Sequence, residues 1–325
     1  MVYWLLIPAA YQLLAIAACV VHFRRRPPAC SEWPSVSILK PSPTGEMPPA
    51  EALASHEDQD YPVPFELIAS TEPGVPAANP KAGKMQLLGD RARYPIWVVN
   101  DADIRVPRHY LRSVVAALMQ PGVGVVTCLY KARGDGRASR FEAFGVTADL
   151  MPSVLVARLI GVREFGLGAT LAFRRSDLAR IGGFEALSDY IADDYQLAKR
   201  ITELGLRAEV AAVEVETSLH GGWREVWTHQ VRWARTIRCS RPGGYLGLPV
   251  AHAGVWALAF GNVPLVVLRI VMAWVAGAGA RSVLAPVWDL FAFAVWIAGW
   301  TGNTVVWRGE TMTLDGQGRI RPRGF

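Results

Sequence analysis

The sequence predicts an α/β domain that lies between apolar segments at the two ends of the chain. In the middle of the chain, short apolar runs rich in β-branched residues alternate with segments of helical period, which is typical of a sheet covered by helices. Residues 1–23 contain no Asp, Glu, Lys or Arg, and a second apolar region extends from residue 246 to about 302. Because about 20 apolar residues cross a bilayer, we expect one N-terminal and about two C-terminal transmembrane helices.

The N-terminal segment 1–23 is followed at once by arginines at 24–26. By the positive-inside rule, these arginines keep the chain that follows them in the cytoplasm. The alternative is a cleaved signal peptide, and residues 16–19 resemble a lipoprotein cleavage site. A signal peptide, however, carries its positive charge before the apolar run and not after it. We therefore interpret 1–23 as a membrane anchor, followed by a Pro-rich linker at 24–34.

The second apolar region is assigned to membrane segments at 246–304. The favoured interpretation is two spans, near 250–276 and 284–302, although the first can instead be a re-entrant or interfacial hairpin broken at Pro264 and Arg269. The tail at 305–325 contains four arginines, which favours a cytoplasmic end. An even number of C-terminal crossings places both flanks in the cytoplasm, so we expect a multi-pass protein of the inner, cytoplasmic membrane.

Charge and composition narrow the choice of partners. Hydrophobic residues make up 51% of the chain and charged residues 19%, and the net charge of +6 suits phosphates or acidic lipid headgroups. No long basic run occurs in the middle segment, so nucleic acid is not expected as a partner. The four cysteines are scattered without a CxxC pair, so neither a zinc site nor a disulfide framework is indicated.

The middle segment 35–245 is predicted to form one domain. The expected strands are 35–39, 65–70, 96–99, 123–130, 169–173 and 208–215. The expected helices are 48–55, 110–119, 188–204 and 223–238.

Asp101 and Asp103 follow the third expected strand, in the run NDAD. In open α/β sheets, ligands bind at the carboxyl ends of the strands. Two carboxylates at that place can share one Mg²⁺ or Mn²⁺ ion that also binds diphosphate oxygens, and such an ion assists the departure of a nucleotide diphosphate. The alternative is a solvated turn with two acids, because the D-x-D pattern alone is common.

Asp193 and Asp194 are expected in the first turn of the helix near 188–204. Acids at that place are ordinary capping residues that interact favourably with the helix dipole. The functional interpretation is a general base that accepts the proton of an acceptor hydroxyl.

The expected helix 223–238 carries the run HQVRWARTIR at 229–238. Arg232, Arg235 and Arg238 share one face of this helix by their spacing, and arginines there can clamp a diphosphate. The alternative is an interfacial helix whose basic face meets anionic lipid. The two interpretations are compatible.

Several short motifs follow one another in the order of a known family. They are KP at 40–41, NPK at 79–81, NDADIRVP at 100–107, GVGVVTCLY at 122–130, FGLGATLAFRR at 165–175, IGGFEAL at 181–187, ADDY at 192–195 and HQVRWARTIR at 229–238. Together they resemble the ceramide glucosyltransferase family of membrane glycosyltransferases, to which the bacterial hopanoid-linked sugar transferases are similar. The resemblance covers nearly the whole chain. It implies a GT-A nucleotide-sugar domain and a direct displacement that inverts configuration.

The resemblance also implies roles for individual residues. Asp101 would be the metal-linked acid, with Asp103 beside it, and Asp194 would be the base. Arg232 and Trp233 would close the site near the donor diphosphate and the acceptor.

Further site residues follow from the same motifs. Glu72 and Lys81 are expected on the donor side. His229, Gln230 and Arg235 are expected in the closing motif. Glu72 stands where the family has Asp, and His229 occupies its Gln or Arg position. Only six residues separate Glu72 from the NPK motif, where the family has a helix and a strand.

These observations predict an inverting glycosyltransferase that uses Mn²⁺ or Mg²⁺. It would move a hexose from a UDP-sugar to a ceramide-like or hopanoid-like lipid hydroxyl at the cytoplasmic face of the membrane. Glucose, galactose, N-acetylglucosamine and glucuronic acid all remain open as the sugar. One alternative is a catalytically weakened relative that binds lipid or nucleotide. Another is a polysaccharide synthase component, which the small number of C-terminal segments disfavours.

Overall fold

The structure is a computed structural model that describes residues 2–307 and 309–321. Met1, the first residue of the predicted anchor, lies outside the described residues. The same holds for Arg308 and Arg323 of the arginine-rich tail.

The chain forms two compact units, and both are discontinuous in the sequence. The sheet unit comprises Arg26–Tyr130 and Arg163–Thr217. The helical unit comprises the chain up to Arg25, the segment Lys131–Val162 and the described residues from Ser218 onward. Part of the segment that was predicted to form one domain is therefore grouped with the apolar ends of the chain.

The strands of the main sheet lie where the sequence predicts them. They are β1 (Val36–Lys40), β2 (Phe65–Ala69), β3 (Ile96–Val99), β4 (Val123–Gly134), β5 (Leu171–Arg174) and β6 (Arg207–Leu219). Their order in the six-stranded sheet is β2-β1-β3-β5-β4-β6. A small three-stranded sheet near the C-terminus contains β7 (Thr304–Trp307), β8 (Glu310–Leu314) and β9 (Ile320–Arg321).

The helices are numbered in chain order. They are α1 (Leu6–Phe23), α2 (Ala50–Glu57), α3 (Pro80–Arg91), α4 (Tyr110–Leu118), α5 (Arg137–Gly145), α6 (Met151–Leu159), α7 (Arg175–Arg180), α8 (Asp193–Glu203), α9 (Trp223–Ser240), α10 (Pro242–Gly247), α11 (Ala253–Phe260), α12 (Val263–Ala273) and α13 (Ala285–Trp300). A π-helical turn at 146–150 joins α5 to α6.

Strand direction places several loops at one edge of the main sheet. β1 is parallel to β2 and to β3, whereas β5 is antiparallel to β3. Val99, the last residue of β3, pairs with Leu171, the first residue of β5. The loops that follow the parallel strands and the loop that precedes β5 therefore meet at the same edge.

Alternate residues of β3 pack on opposite faces of the sheet. Val98 belongs to an apolar cluster that includes Val114 of α4. Val99 belongs to a second cluster that includes Leu88 of α3 and Leu197 of α8. Helices thus cover both faces, which confirms the predicted α/β class of the central domain.

Helix α3 was not among the predicted helices, although its start carries local signals. Asn79 caps it, because the Asn79 side-chain oxygen accepts hydrogen bonds from the amides of Lys81 at 2.9 Å and Ala82 at 3.3 Å. Pro80 occupies the first helical position, where its missing N–H costs nothing. A loop at 70–79 leads directly from β2 to this helix.

Two apolar helical segments among the described residues are long enough to cross a membrane by length and composition. They are Tyr3–Phe23 and Val263–Trp300. The second segment is interrupted at Gly277, which adopts φ 102°. The predicted first C-terminal span is also broken, because Gly261 ends α11 in the left-handed conformation and Asn262 caps α12.

Two of the three charged residues that interrupt the apolar C-terminal region form a buried pair. The Arg269 guanidinium donates to both oxygens of Asp289, at 2.8 to 3.0 Å, and to the Ala148 carbonyl at 2.9 Å. Asp289 Oδ2 also accepts from the Gly254 amide at 2.7 Å. Both side chains have 0% exposure. These partners satisfy two charges that would otherwise be costly among apolar helices.

We expect Arg269→Met to destabilise the protein by about 3–5 kcal/mol, because it leaves the Asp289 carboxylate buried without its partner. The midpoint of thermal unfolding of the detergent-solubilised protein measures this. The double variant Arg269→Met/Asp289→Leu should regain most of the loss. Arg281→Met is the matched control at an exposed arginine. Equal losses in the Arg269 and Arg281 variants would contradict the prediction.

Candidate active site

Three aspartates and one lysine meet at the edge of the sheet where the loops converge. The Lys81 ammonium lies 2.7 Å from Asp101 Oδ1 and 3.4 Å from Asp193 Oδ2. Asp194 follows Asp193 in the first turn of α8, and its charge also acts on Lys81. Residues from the loop after β3, the start of α3 and the start of α8 therefore form one charged cluster.

Asn79 joins the starts of two helices. Its side-chain amide donates to the Tyr190 carbonyl at 2.7 Å and to Asp193 Oδ1 at 3.3 Å, while its oxygen caps α3. Lys81 lies two residues further along. The cap of α3 thus also fixes the position of Lys81 relative to the aspartates of α8.

Lys40 supports the loop that carries Asp101. The Lys40 side chain has 0% exposure, and its ammonium donates to the carbonyls of Asp101 at 3.2 Å and Ile104 at 3.0 Å. Burial lowers the pKa of Lys40 to about 7, although Asp103 and Asp101 oppose this shift. Asn100 anchors the same loop, since its amide donates to the Ala169 carbonyl at 2.7 Å.

Gly168 lets three charged groups approach the chain more closely than a side chain there would allow. A Cβ atom at this position would lie 3.0 Å from Asp101 Oδ2, 3.4 Å from Asp194 Oδ2 and 3.4 Å from the Lys81 ammonium. The Gly168 amide donates to Asp194 Oδ2 at 2.9 Å. The absent side chain therefore creates a small cradle that the carboxylates and the ammonium surround.

The cluster shifts the pKa values of its members. Burial and the neighbouring Asp193 carboxylate raise the pKa of Asp194 to about 6, while the Lys81 ammonium limits the increase. Burial alone would lower the pKa of Lys81, but the Asp101 and Asp193 carboxylates outweigh burial and raise it above its ordinary value. Asp194 therefore titrates near neutrality, whereas Lys81 stays charged.

The other predicted acids have different partners. Asp103 accepts a hydrogen bond from the Thr217 hydroxyl on β6. The Glu72 carboxylate is 59% exposed and lies 2.5 Å from the Arg91 guanidinium. Asp101 and Asp103 thus have separate protein partners, and Glu72 is held by the end of α3.

The residues at this edge fit a divalent cation that takes most of its ligands from a diphosphate and water. Within residues 2–307 and 309–321, no three His, Cys, Asp or Glu side chains form a metal site of their own. Mg²⁺ is often bound through only one or two carboxylates together with substrate phosphates. Asp101 is 44% exposed, and Gly168 leaves space in front of its Oδ2 atom. A bound cation would share Asp101 with Lys81.

The predicted closing motif lies on α9, in the helical unit. His229 Nδ1 donates to Glu142 Oε1 at 2.6 Å, and the Gln230 side chain donates to the same oxygen at 2.8 Å. Glu142 is only 2% exposed. Sequence patterns did not indicate Glu142, because it lies between the GVGVVTCLY and FGLGATLAFRR motifs and its contact depends on the packing of α5 against α9.

The other motif residues divide into two groups. The ring of Trp233 meets the ring of His229 edge-on, with centroids 4.6 Å apart, and Arg232 lies beside it on α9. Arg235 donates to the Thr304 carbonyl. Arg238 donates to the Gly302 carbonyl at 3.0 Å. The last two arginines therefore bind the chain that follows α13.

The fold is an α/β sheet in a chain that also contains apolar helices. Its charged cluster lies at the carboxyl ends of parallel strands, where such folds bind ligands. The chain belongs to glycosyl transferase family 21, whose profile matches residues 63–287. The family predicted from the ordered motifs is thereby confirmed.

Individual relatives are more distant. Over 135 residues, 41% of this chain, the sequence is 26% identical to ceramide glucosyltransferase 1 of Caenorhabditis elegans, and it spans 29% of that protein. Among solved structures, the chain is similar to the mannosyltransferase PcManGT from Pyrobaculum calidifontis in complex with GDP-Man and Mn²⁺. The TM-score is 0.48 and the identity 19%, over 91% of this chain and 97% of that one. S. aureus TarS gives a TM-score of 0.39 and 11% identity, over 88% and 60%.

We expect Gly168→Val to abolish nucleotide-sugar binding, because its side chain would fill the cradle between Asp101, Asp194 and Lys81. Titration of the purified protein with nucleotide-sugar measures the effect. Gly247→Ala is the control, since an added Cβ there has no heavy atom within 4 Å. Unchanged binding by Gly168→Val would show that the donor does not use the cradle.

Proposed function

We propose that this protein is an inverting glycosyltransferase that moves a hexose from a UDP-sugar to the hydroxyl of a membrane lipid. Membership of glycosyl transferase family 21 supports the reaction class. The observation that carries the proposal is the cluster of Asp101, Asp194 and Lys81 around the Gly168 cradle. A diphosphate bound through a cation at Asp101 would lie next to Asp194, a carboxylate whose pKa is raised.

The donor side of the proposed site consists of Asp101, Asp103 and Lys81. Asp101 and Asp103 would hold Mn²⁺ or Mg²⁺, which when bound neutralises charge on the departing diphosphate. Lys81 keeps a positive charge within 2.7 Å of Asp101, so that the carboxylate does not repel the diphosphate as strongly. Glu72, held by Arg91, would lie on the rim of the donor site.

Asp194 is the proposed base. In an inverting displacement, the acceptor oxygen bonds to the anomeric carbon while the bond to the diphosphate oxygen breaks and a base takes the hydroxyl proton. Asp194 is oriented by the Gly168 amide at 2.9 Å and the Tyr195 amide at 2.7 Å. Its raised pKa suits a base, because efficient proton acceptors have pKa values near the working pH.

The closing motif on α9 is proposed to complete the enzyme. Arg232 and Trp233 would contact the donor diphosphate and the acceptor. Glu142 orients His229 and Gln230 through two hydrogen bonds to one of its oxygens. Arg235 instead stabilises the chain after α13, so its contribution would be indirect.

We further propose that the acceptor is a ceramide-like or hopanoid-like lipid and that the reaction takes place at the cytoplasmic face of the membrane. The apolar segments Tyr3–Phe23 and Val263–Trp300 support a membrane location. The arginines at 24–26 support a cytoplasmic position for the chain that follows the anchor. The product would be a glycolipid.

One observation favours a second candidate, a relative that binds nucleotide or lipid with little turnover. The Glu72 carboxylate is occupied by Arg91, and the loop 70–79 leads directly into α3. The family has a further helix and strand between these points. Without them, the donor pocket of this protein would be smaller.

Membranes that contain the protein, incubated with a panel of UDP-sugars, should form a lipid that is heavier by one sugar residue. Mass spectrometry identifies both the sugar and the acceptor, and membranes that contain Asp194→Asn serve as the control. Excess chelator should stop transfer, and added Mn²⁺ or Mg²⁺ should restore it, because the diphosphate needs charge neutralisation.

Two outcomes would count against this proposal. Donor binding without any product after long incubation would contradict the transferase and favour the binding-only candidate. Full activity in excess chelator would refute the role of the cation.

We expect Asp194→Asn to lower turnover by about 10²–10⁴, the usual worth of general-base assistance, with donor binding largely kept. The substitution keeps the shape of the side chain and removes its basicity. Asp193→Asn should cause a milder loss, since Asp193 pairs with Lys81 and Asn79. Single-turnover transfer and nucleotide titration measure both effects. Transfer by Asp194→Asn at near the parent rate would show that another group is the base.

The rate of transfer should fall as the pH is lowered through about 6, because Asp194 accepts a proton only when ionised and its pKa is about 6. If Asp194 had the ordinary pKa of an aspartate, this acidic limb of the pH profile would lie at about pH 4. Lys81→Met should move the limb to higher pH, since the ammonium holds the pKa of Asp194 down, and Lys81→Arg should keep it near the parent value. The pH profile of kcat/KM tests this, and a limb near pH 4 in the parent would contradict the assignment.

A further inference from the structure

The helical unit contains a cavity that the proposed chemistry leaves unused. Its volume is about 120 Å³. Its walls come from the turn before α6, from α9, from the residues just before α11 and from α13. For comparison, an engineered apolar cavity of about 150 Å³ in a protein core binds benzene. The cavity can therefore hold a small group and a few carbon atoms, but not a whole lipid.

One end of this cavity carries a polar pair. His252 and Asp149 both line it. His252 Nε2 lies 3.7 Å from Asp149 Oδ2, and the His252 side chain is only 5% exposed. Trp288 donates to the same oxygen of Asp149 at 3.0 Å. The two side chains are thus held in place by the surrounding helices.

His252 has an unused hydrogen-bonding atom. Among the described residues, its Nδ1 atom is buried without a hydrogen-bond partner. A buried polar atom without a partner costs free energy that a hydrogen bond would recover. Because His252 lines the cavity, a ligand with a hydroxyl or amide group can supply the missing bond.

Most of the remaining wall is apolar, and part of it comes from the closing motif. Ile237, Ala292 and Val295 contribute aliphatic surface, and Gln230 and Trp233 of α9 also line the cavity. A ligand there would therefore contact carbon on one side and the closing motif on the other. This combination suits the end of a lipid at which polar groups meet the hydrocarbon chain.

We propose that this cavity binds part of the lipid acceptor, with Asp149 and His252 recognising a hydroxyl or amide group other than the hydroxyl that receives the sugar. The inference rests on the proposed function. Asp194 is the proposed base, so Asp149 and His252 are assigned to binding and not to proton transfer. The site then selects lipids with two neighbouring polar groups over simple long-chain alcohols.

This selectivity is tested by comparing two acceptors, a short-chain ceramide and a long-chain primary alcohol. The parent enzyme should use the ceramide at a lower apparent KM. Asp149→Asn keeps an oxygen that can accept from Trp288, and His252→Leu removes the ring nitrogens. Both variants should lose about tenfold or more of the preference for the ceramide, as expected when a buried hydrogen bond is removed. An unchanged preference in both variants would overturn the proposal.

Two alanines on α13, one in the wall of the cavity and one outside it, provide matched variants that test whether the lipid occupies the cavity. Ala292 lines the cavity, whereas Ala294, two residues further, is exposed and does not. Ala292→Trp should raise the apparent KM for ceramide at least about tenfold with UDP-sugar binding unchanged. Ala294→Trp should behave as the parent. Equal behaviour of the two variants would overturn the proposal.

A photoactivatable ceramide, cross-linked to the full-length protein in detergent and mapped by peptide mass spectrometry, gives a readout that does not need turnover. Labels within 145–153 or 288–296 support the cavity site, and labels confined to other segments contradict it. Labelling there without sugar transfer by the parent would refute the proposed function and leave the site in place. Transfer by the parent that is unaffected in Ala292→Trp would refute the site alone.

Discussion

The ammonium group of Lys81 lies among carboxylates that come from two other segments of the chain, and the architecture of the sheet unit depends on this contact. Buried carboxylates repel one another and lose hydration, so they persist only when a cation is near. Asp101 reaches Lys81 from the loop after β3, and Asp193 reaches it from α8. The packing of α3 and α8 on one face of the sheet therefore brings Lys81 to these carboxylates, beside Asp194, where the chemistry is proposed.

In the helical unit, one pair of buried charged side chains is compensated by protein partners, whereas one buried histidine nitrogen is not. Arg269 and Asp289 are fully buried and bind each other and two backbone groups, so their charges are compensated within the protein. His252 keeps a buried ring nitrogen without a partner among the described residues, next to a cavity. The contrast separates a structural ion pair from a candidate binding site, although both lie among the same apolar helices.

The proposed roles are divided between the two units. Asp101, Lys81 and Asp194, which are assigned to the cation, the donor and proton transfer, belong to the sheet unit. Asp149 and His252, which are assigned to the lipid, belong to the helical unit, as does the closing motif on α9. Both units are discontinuous, and β4 and β6 pass from one into the other. Chemistry on a soluble nucleotide and recognition of an apolar lipid demand different surroundings, which a single small core does not provide.

The sequence by itself determined the elements whose signals are local. Periodicity located the six strands of the main sheet and α4, α8 and α9. Asp101 and Asp194 were identifiable as candidate site residues because acids there directly follow a strand or begin a helix. The tertiary structure alone decided the pairing of Lys81 with Asp101 and Asp193, the cradle at Gly168 and the contact of Glu142 with His229. These features join segments far apart in the chain, and their geometry depends on how helices pack on the sheet and on one another, which no local pattern of residues encodes.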